Sequence, residues 1–92
     1  MYKYQVAIVI PAFNEEDTIS NVVQSVKEHG VVIVVNDAST DRTKQMAEDA
    51  GAILVSHKEN KGYDGALNSG FARAEELNCN AVITFDADGQ HS

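Results

Sequence analysis

Ala81-Val82-Ile83-Thr84-Phe85-Asp86-Ala87-Asp88-Gly89-Gln90-His91 is the stretch on which the architecture turns. An uncharged run rich in β-branched and aromatic residues reads as a buried strand, and this one ends in two carboxylates followed by glycine. Alternation along a strand points Asp86 and Asp88 to the same side, where the pair can hold one divalent cation or share the polar groups of one ligand. Open α/β sheets bind their ligands beyond such strand ends.

The same signature recurs upstream. Val6-Ala7-Ile8-Val9-Ile10 is an apolar run stopped by Pro11, the only proline, which cannot donate to a ladder. Ala12-Phe13-Asn14-Glu15-Glu16-Asp17 then brings acids to the place where a helix begins, the sign that suits the positive end of a macrodipole. Ile19, Val22, Val23 and Val26 follow at helical spacing, and Gly30 is expected to close that helix as a left-handed cap. Val31 to Val35 is a second apolar run, ending at Asn36-Asp37-Ala38-Ser39-Thr40-Asp41. Thr43, Met46, Ala47 and Ala50 give a second helix closed by Gly51, and Ala52 to Val55 a third strand. After a polar loop, Ser56 to Gly62, the spacing of Leu67, Gly70, Phe71, Ala74 and Leu77 predicts a third helix leading into the final strand.

A βαβαβαβ order with strands apolar throughout implies an α/β fold. It is half of a doubly wound, Rossmann-like fold, with a mainly parallel sheet, right-handed crossovers and helices on both faces. The C-terminal strand ends then gather Pro11 to Glu15, Asn36 to Asp41, and Asp86 to Asp88 on one edge.

A length of 92 residues allows one small domain and no second. A net charge of −7 without a Lys/Arg cluster argues against nucleic acid or an anionic membrane surface as the main partner, whereas acids at strand ends suit a cation. The single cysteine, Cys79, has no internal disulfide partner, and no apolar run approaches the roughly 20 residues that span a bilayer. The expectation is a reduced, cytoplasmic protein, membrane-associated at most in a longer form. The chain stops just after its most chemically loaded segment, which reads as a domain cut after the Asp-x-Asp motif.

Four motifs now carry a resemblance. Pro11-Ala12-Phe13-Asn14-Glu15, Val35 to Asp41, Asn60-Lys61-Gly62 with Asn68-Ser69-Gly70, and Asp86 to His91 look like the ordered motifs of family 2 glycosyltransferases of GT-A fold. The last is most similar to the dolichyl- or polyprenyl-phosphate mannosyl- and glucosyltransferase branch. The resemblance implies that Pro11, Phe13 and Glu15 contact the nucleotide of a UDP- or GDP-sugar. It sets Val35 and Asp37 against base and ribose, and counts Ala87 and Gln90 with the donor-binding residues. Asp86 would lie near ribose and metal, and Asp88 would bind the Mg²⁺ or Mn²⁺ that holds the diphosphate. Phe13 replaces the commoner tyrosine, keeping a packing face but losing a hydroxyl, and Ala38 stands where glycine is frequent. The resemblance also implies an inverting transfer to an acceptor such as a lipid phosphate, with the general base beyond Ser92. The fragment alone would bind donor weakly and not turn over.

Plainer roles compete at several positions. Asp41 reads better as a helix cap, Glu16 as a helix-dipole partner, His91 as a loop residue, Gly70 as a packing site and Cys79 as structural. Two other functions stay open on the sequence. Ile83 to Gly89 also resembles the nucleophile motif of haloacid dehalogenase-type phosphatases, although that motif normally opens its domain. An exposed sheet edge could instead pair with a second copy in a non-catalytic assembly module.

Overall fold

The structure, a computed structural model, describes residues 6–87. Strands β1 (Val6–Ala12), β2 (Val31–Asn36), β3 (Ile53–Ser56) and β4 (Ala81–Thr84) form one sheet in the order β3-β2-β1-β4, and every pairing is parallel. Helices α1 (Ile19–Val26), α2 (Thr43–Asp49) and α3 (Gly62–Glu76) make the crossovers, with a turn of 3₁₀ helix at Lys27–His29 after α1. Among the described residues no helix is long and apolar enough to cross a membrane.

Strand alternation divides the core into two layers. Ile8, Ile10, Val32 and Val34 face the side covered by α1 and α2, where Ile19, Val22, Val23 and Val26 are all buried. Ala7, Val9, Ile33 and Val35 face the other side, under Ala66 and Ala74 of α3. Fully burying one such aliphatic side chain contributes about 1.5–3 kcal/mol, so strands apolar on both faces pack between helices and nowhere else. Gly70 sets how closely α3 sits: a Cβ there would lie 2.3 Å from Val9 Cγ1 and 3.2 Å from Val35 Cγ2.

Four expectations are corrected. β1 does not stop at Pro11 but runs to Ala12, with Pro11 in register with Val35. The last β1–β4 pair is Val9 with Thr84, and the Phe85 amide donates to the Val9 carbonyl. The N–H that Pro11 lacks would point to that same side, past the end of β4, so no ladder bond is lost. Gly30 is not left-handed; its φ of 170° is extended, and it is small because a Cβ would meet the Val6 carbonyl oxygen at 2.4 Å. β4 is an exposed edge strand and not a buried one, with Val82 and Ile83 open to solvent. Phe71 is also exposed, and the inner face of α3 is made by small residues instead.

The chain order turns back at β1: β2 and β3 are added on one side and β4 on the other. The crevice of such a sheet opens at that switch point, beyond the C-terminal strand ends.

Candidate functional site

The segments that follow β1 and β2 are stitched to each other by their own polar groups. Asn14, at φ 54°, donates its amide to Ser39 Oγ at 2.9 Å and accepts the Thr40 amide at 2.8 Å. The Glu15 amide donates to Thr43 Oγ1 at 2.8 Å and the Glu16 amide to Asp41 Oδ2 at 3.2 Å. Asp41 Oδ1 accepts the Thr43 amide at 2.9 Å, the capping role expected for it. Glu16 departs from expectation: it lies before the first turn of α1, and its carboxylate accepts the Arg42 amide at 3.1 Å, serving the start of α2. The end of β4 joins them, because Thr18 Oγ1 donates to the Ala87 carbonyl at 2.8 Å. Three strand ends far apart in sequence are thus tied into one rim.

Asp37 is the centre of that rim. It is buried, and its amide continues the sheet by donating to the Ala12 carbonyl. Oδ1 accepts the Lys61 amide and the His57 ring, each at 2.8 Å, and Oδ2 accepts the Gly62 amide at 2.9 Å. The first amides of a helix have no partner inside it, and the Lys61 side chain at the N-cap makes no capping bond, so Asp37, one residue past β2, caps α3 together with Asn60. The positive end of α3 in turn favours the carboxylate. Burial alone would raise the Asp37 pKa; the bonds from His57, Lys61 and Gly62 outweigh it and hold the carboxyl below its ordinary value. Asn60 shapes the same loop: its Nδ2 donates to the Asp37 carbonyl at 3.3 Å and its Oδ1 accepts the Gly62 amide at 3.0 Å, with Gly62 at φ 80°.

Beside Asp37 opens a cavity of about 240 Å³ lined by Pro11, Ala12, Phe13, Glu15, Asp37, Asn60, Gly62, Tyr63 and Ala66. Pro11, Phe13, Glu15 and Asp37 come together in it as the sequence suggested. Val35 does not reach it: it has no exposed surface and belongs to the core layer under α3. Ala87 is buried against the α1 side, and Asp86 is exposed. Because β4 ends at Thr84, strand alternation does not set the direction of Asp86. Asp88, Gln90 and His91 lie outside the described residues.

Tyr63, His57 and Ser69 were not singled out as site residues. Tyr63 lines the cavity with 57% of its surface exposed, facing the same space as Phe13, which is 46% exposed. The spacing of α3 could have shown it, since Tyr63 precedes Ala66 and Gly70 on the face that meets the sheet. Ala38, at φ 68°, occupies the left-handed turn where glycine is the unstrained choice.

The carboxylate oxygen of Asp86 is a hard donor open to solvent on this rim, which fits a Mg²⁺ or Mn²⁺ ion that keeps waters and substrate phosphates as its other ligands. Among the described residues no group of three or more His, Cys, Asp or Glu side chains could hold a metal by itself.

Residues 7–92 match the sequence model of glycosyl transferase family 2. The chain belongs to that family. It is 41% identical over 91 residues to an uncharacterised protein of Methanocaldococcus jannaschii, covering 97% of this chain and 37% of the relative. It is 36% identical over 104 residues to UDP-N-acetylglucosamine–dolichyl-phosphate N-acetylglucosaminyltransferase of Methanococcus voltae, covering 92% and 41%. Among solved structures, glucosyl-3-phosphoglycerate synthase of Mycobacterium tuberculosis in complex with Mn²⁺, UDP-glucose and phosphoglyceric acid superposes with a TM-score of 0.74. That match is 28% identical and covers 90% of this chain and 33% of the synthase. This family 2 chain has the GT-A architecture of those enzymes and spans about two-fifths of the length of the curated relatives named here.

Proposed function

We propose that this chain is the donor-binding portion of an inverting glycosyltransferase that takes the sugar from a nucleoside diphosphate and passes it to a lipid-phosphate acceptor. The observation that carries the reading is the meeting of Pro11, Phe13, Glu15 and Asp37, from two strand ends, in one cavity at the switch point of the sheet. The cavity is smaller than the roughly 300–1,000 Å³ that encloses a drug-sized ligand, so it suits a base with its ribose, the diphosphate lying out along the rim. Phe13 and Tyr63 give the base apolar faces to pack against.

The charge of the rim supports cation use. Glu15 and Asp37 line the cavity, Asp86 stands exposed beyond β4, and the positive end of α3 is already occupied by Asp37. A diphosphate brought to such an edge is repelled unless its charge is offset. A bound Mg²⁺ or Mn²⁺ would stabilise the charge that builds on the departing diphosphate. Asp86 and Asp88 are the residues proposed to hold it, and weak metal binding without donor is expected. In the transfer, an acceptor oxygen forms a bond to the anomeric carbon as the bond to the diphosphate breaks. A hydroxyl acceptor gives its proton to a base, and a phosphate acceptor is already ionised.

Acceptor site and base are assigned to parts of the longer relatives that this chain does not span, so it binds donor without turning over. The acceptor class follows the dolichyl-phosphate transferase relative, and such an acceptor would bring the site to a membrane surface. The family match over residues 7–92 leaves the phosphatase reading without support.

Calorimetric titration tests the proposal. UDP or GDP should bind saturably with Mn²⁺ and much more weakly with EDTA, while the matching nucleoside is indifferent to the metal. No saturable binding of either diphosphate in Mn²⁺ would end the donor reading.

A further inference from the structure

Asp37, His57 and Ser69 form a hydrogen-bonded chain across three elements. His57 Nδ1 lies 2.8 Å from Asp37 Oδ1, and His57 Nε2 lies 2.8 Å from Ser69 Oγ. An ionised carboxylate only accepts, so Nδ1 carries a proton and donates, and the Ser69 hydroxyl partners the other ring nitrogen. Both ring atoms are spoken for, and the side chains of His57 and Asp37 are only 7% and 6% exposed.

Acid, imidazole and hydroxyl in that order also describe a hydrolytic triad, but the surroundings argue against a nucleophile. Ser69 lies in the middle of α3, where the neighbouring amides are spent in the helix, so there is no pair of donors for a developing oxyanion. It does not line the cavity beside Asp37. The end of the chain that faces the cavity is the carboxylate.

We propose that His57 and Ser69 are positioning residues for the nucleotide, acting through Asp37. Ser69 orients the imidazole, the imidazole fixes Oδ1, and Asp37 in turn holds the Lys61 and Gly62 amides. The loop that brings Asn60, Gly62 and Tyr63 to the cavity is thereby set before any ligand arrives. Among the described residues Oδ1 takes two donors and Oδ2 one, so Oδ2 is the oxygen with room for an N–H or O–H of the nucleotide. Presetting a wall removes an ordering cost that binding would otherwise meet. The inference rests on the donor reading above and adds to it the residues that make Asp37 competent.

Paired amide variants test it. An asparagine side chain places its amide near the position of His Nδ1, and a glutamine near that of Nε2. His57→Asn therefore keeps a donor for Asp37, whereas His57→Gln keeps a partner for Ser69 and loses the carboxylate. UDP affinity in Mn²⁺ should fall about tenfold in His57→Gln and stay within about threefold of the parent in His57→Asn, with both variants equally folded by circular dichroism. Equal affinities in the two variants, or covalent labelling of Ser69 by a fluorophosphonate, would overturn the proposal. If the parent protein binds no nucleotide, the donor reading falls, and amide exchange in the free protein judges the clamp separately. Faster exchange at Lys61 and Gly62 in His57→Gln than in His57→Asn supports it, and equal exchange overturns it.

Discussion

Asp37 and His57 each stand one residue past the end of a neighbouring parallel strand, and they meet at 2.8 Å between Oδ1 and Nδ1. The contact follows from register: Asn36 pairs with Ser56, so the next residues of the two strands face each other as the chains leave the sheet. Removing the carboxylate takes the acceptor from the His57 ring and the Lys61 amide and leaves the Gly62 amide to Asn60 alone. Asp37→Ala should lower the unfolding free energy by about 3 kcal/mol in urea denaturation, the scale for leaving buried donors without their carboxylate acceptor. Asp37→Asn should cost less, since one amide oxygen can still accept. A loss within about 0.5 kcal/mol for Asp37→Ala would show that the loop is not held through this group.

Acid sensitivity should follow from the same carboxylate. The pKa values of Asp37 and Asp41 are both lowered from the ordinary 3.8, because the hydrogen bonds each accepts outweigh the cost of burial. A depressed folded pKa means the unfolded chain binds protons first, so this stability is complete above about pH 5 and is lost as pH falls through the folded values. Urea midpoints should therefore fall below about pH 5, with a shallower slope in Asp37→Asn. An unchanged slope in that variant would exclude Asp37 as a source.

Gly70→Ala tests how α3 is seated. Alanine favours a helix over glycine by about 1 kcal/mol, yet the added Cβ would lie 2.3 Å from Val9 Cγ1. Overpacking should win, for a net loss of about 1–3 kcal/mol by thermal unfolding. A stabilised variant would mean that the helix backs away from the sheet at no cost.

Ala38→Gly should act in the opposite direction. Ala38 sits at φ 68°, a conformation that costs an L-residue about 1–2 kcal/mol, and glycine returns most of it against its larger unfolded-state entropy. A gain of about 0.5–1 kcal/mol is expected by chemical denaturation, and a loss would show that the Ala38 side chain makes a contact worth more than the strain.

The architecture was legible because strands apolar on both faces leave few alternatives to a parallel sheet between helices. What the sequence hid was register and edge position. An uncharged run such as Ala81 to Phe85 looks the same at the centre of a sheet and at its border, so the exposure of Val82 and Ile83 could not be read from it. Phe71 misled in a similar way: helical spacing marked it as inward, but Ala66, Gly70 and Ala74 already fill the close contact with β1 and β2. The strand-end acids were readable as a site because they recur after apolar runs. His57 was not, since only the pairing of β2 with β3 brings it to Asp37. Val35 was read as a base contact, but it lies with Val9 and Ile33 in the layer that α3 covers, which leaves it no exposed surface.

Amide chemical shifts of the protein titrated with UDP and with GDP, in Mg²⁺ to avoid paramagnetic loss, test the donor site most directly. The site described here predicts that one of the two nucleotides shifts Phe13, Glu15, Asp37, Gly62, Tyr63 and Asp86 together while β3 and the C-terminal half of α3 stay unmoved. Shifts scattered over both faces of the sheet, or none at saturating nucleotide, would contradict it.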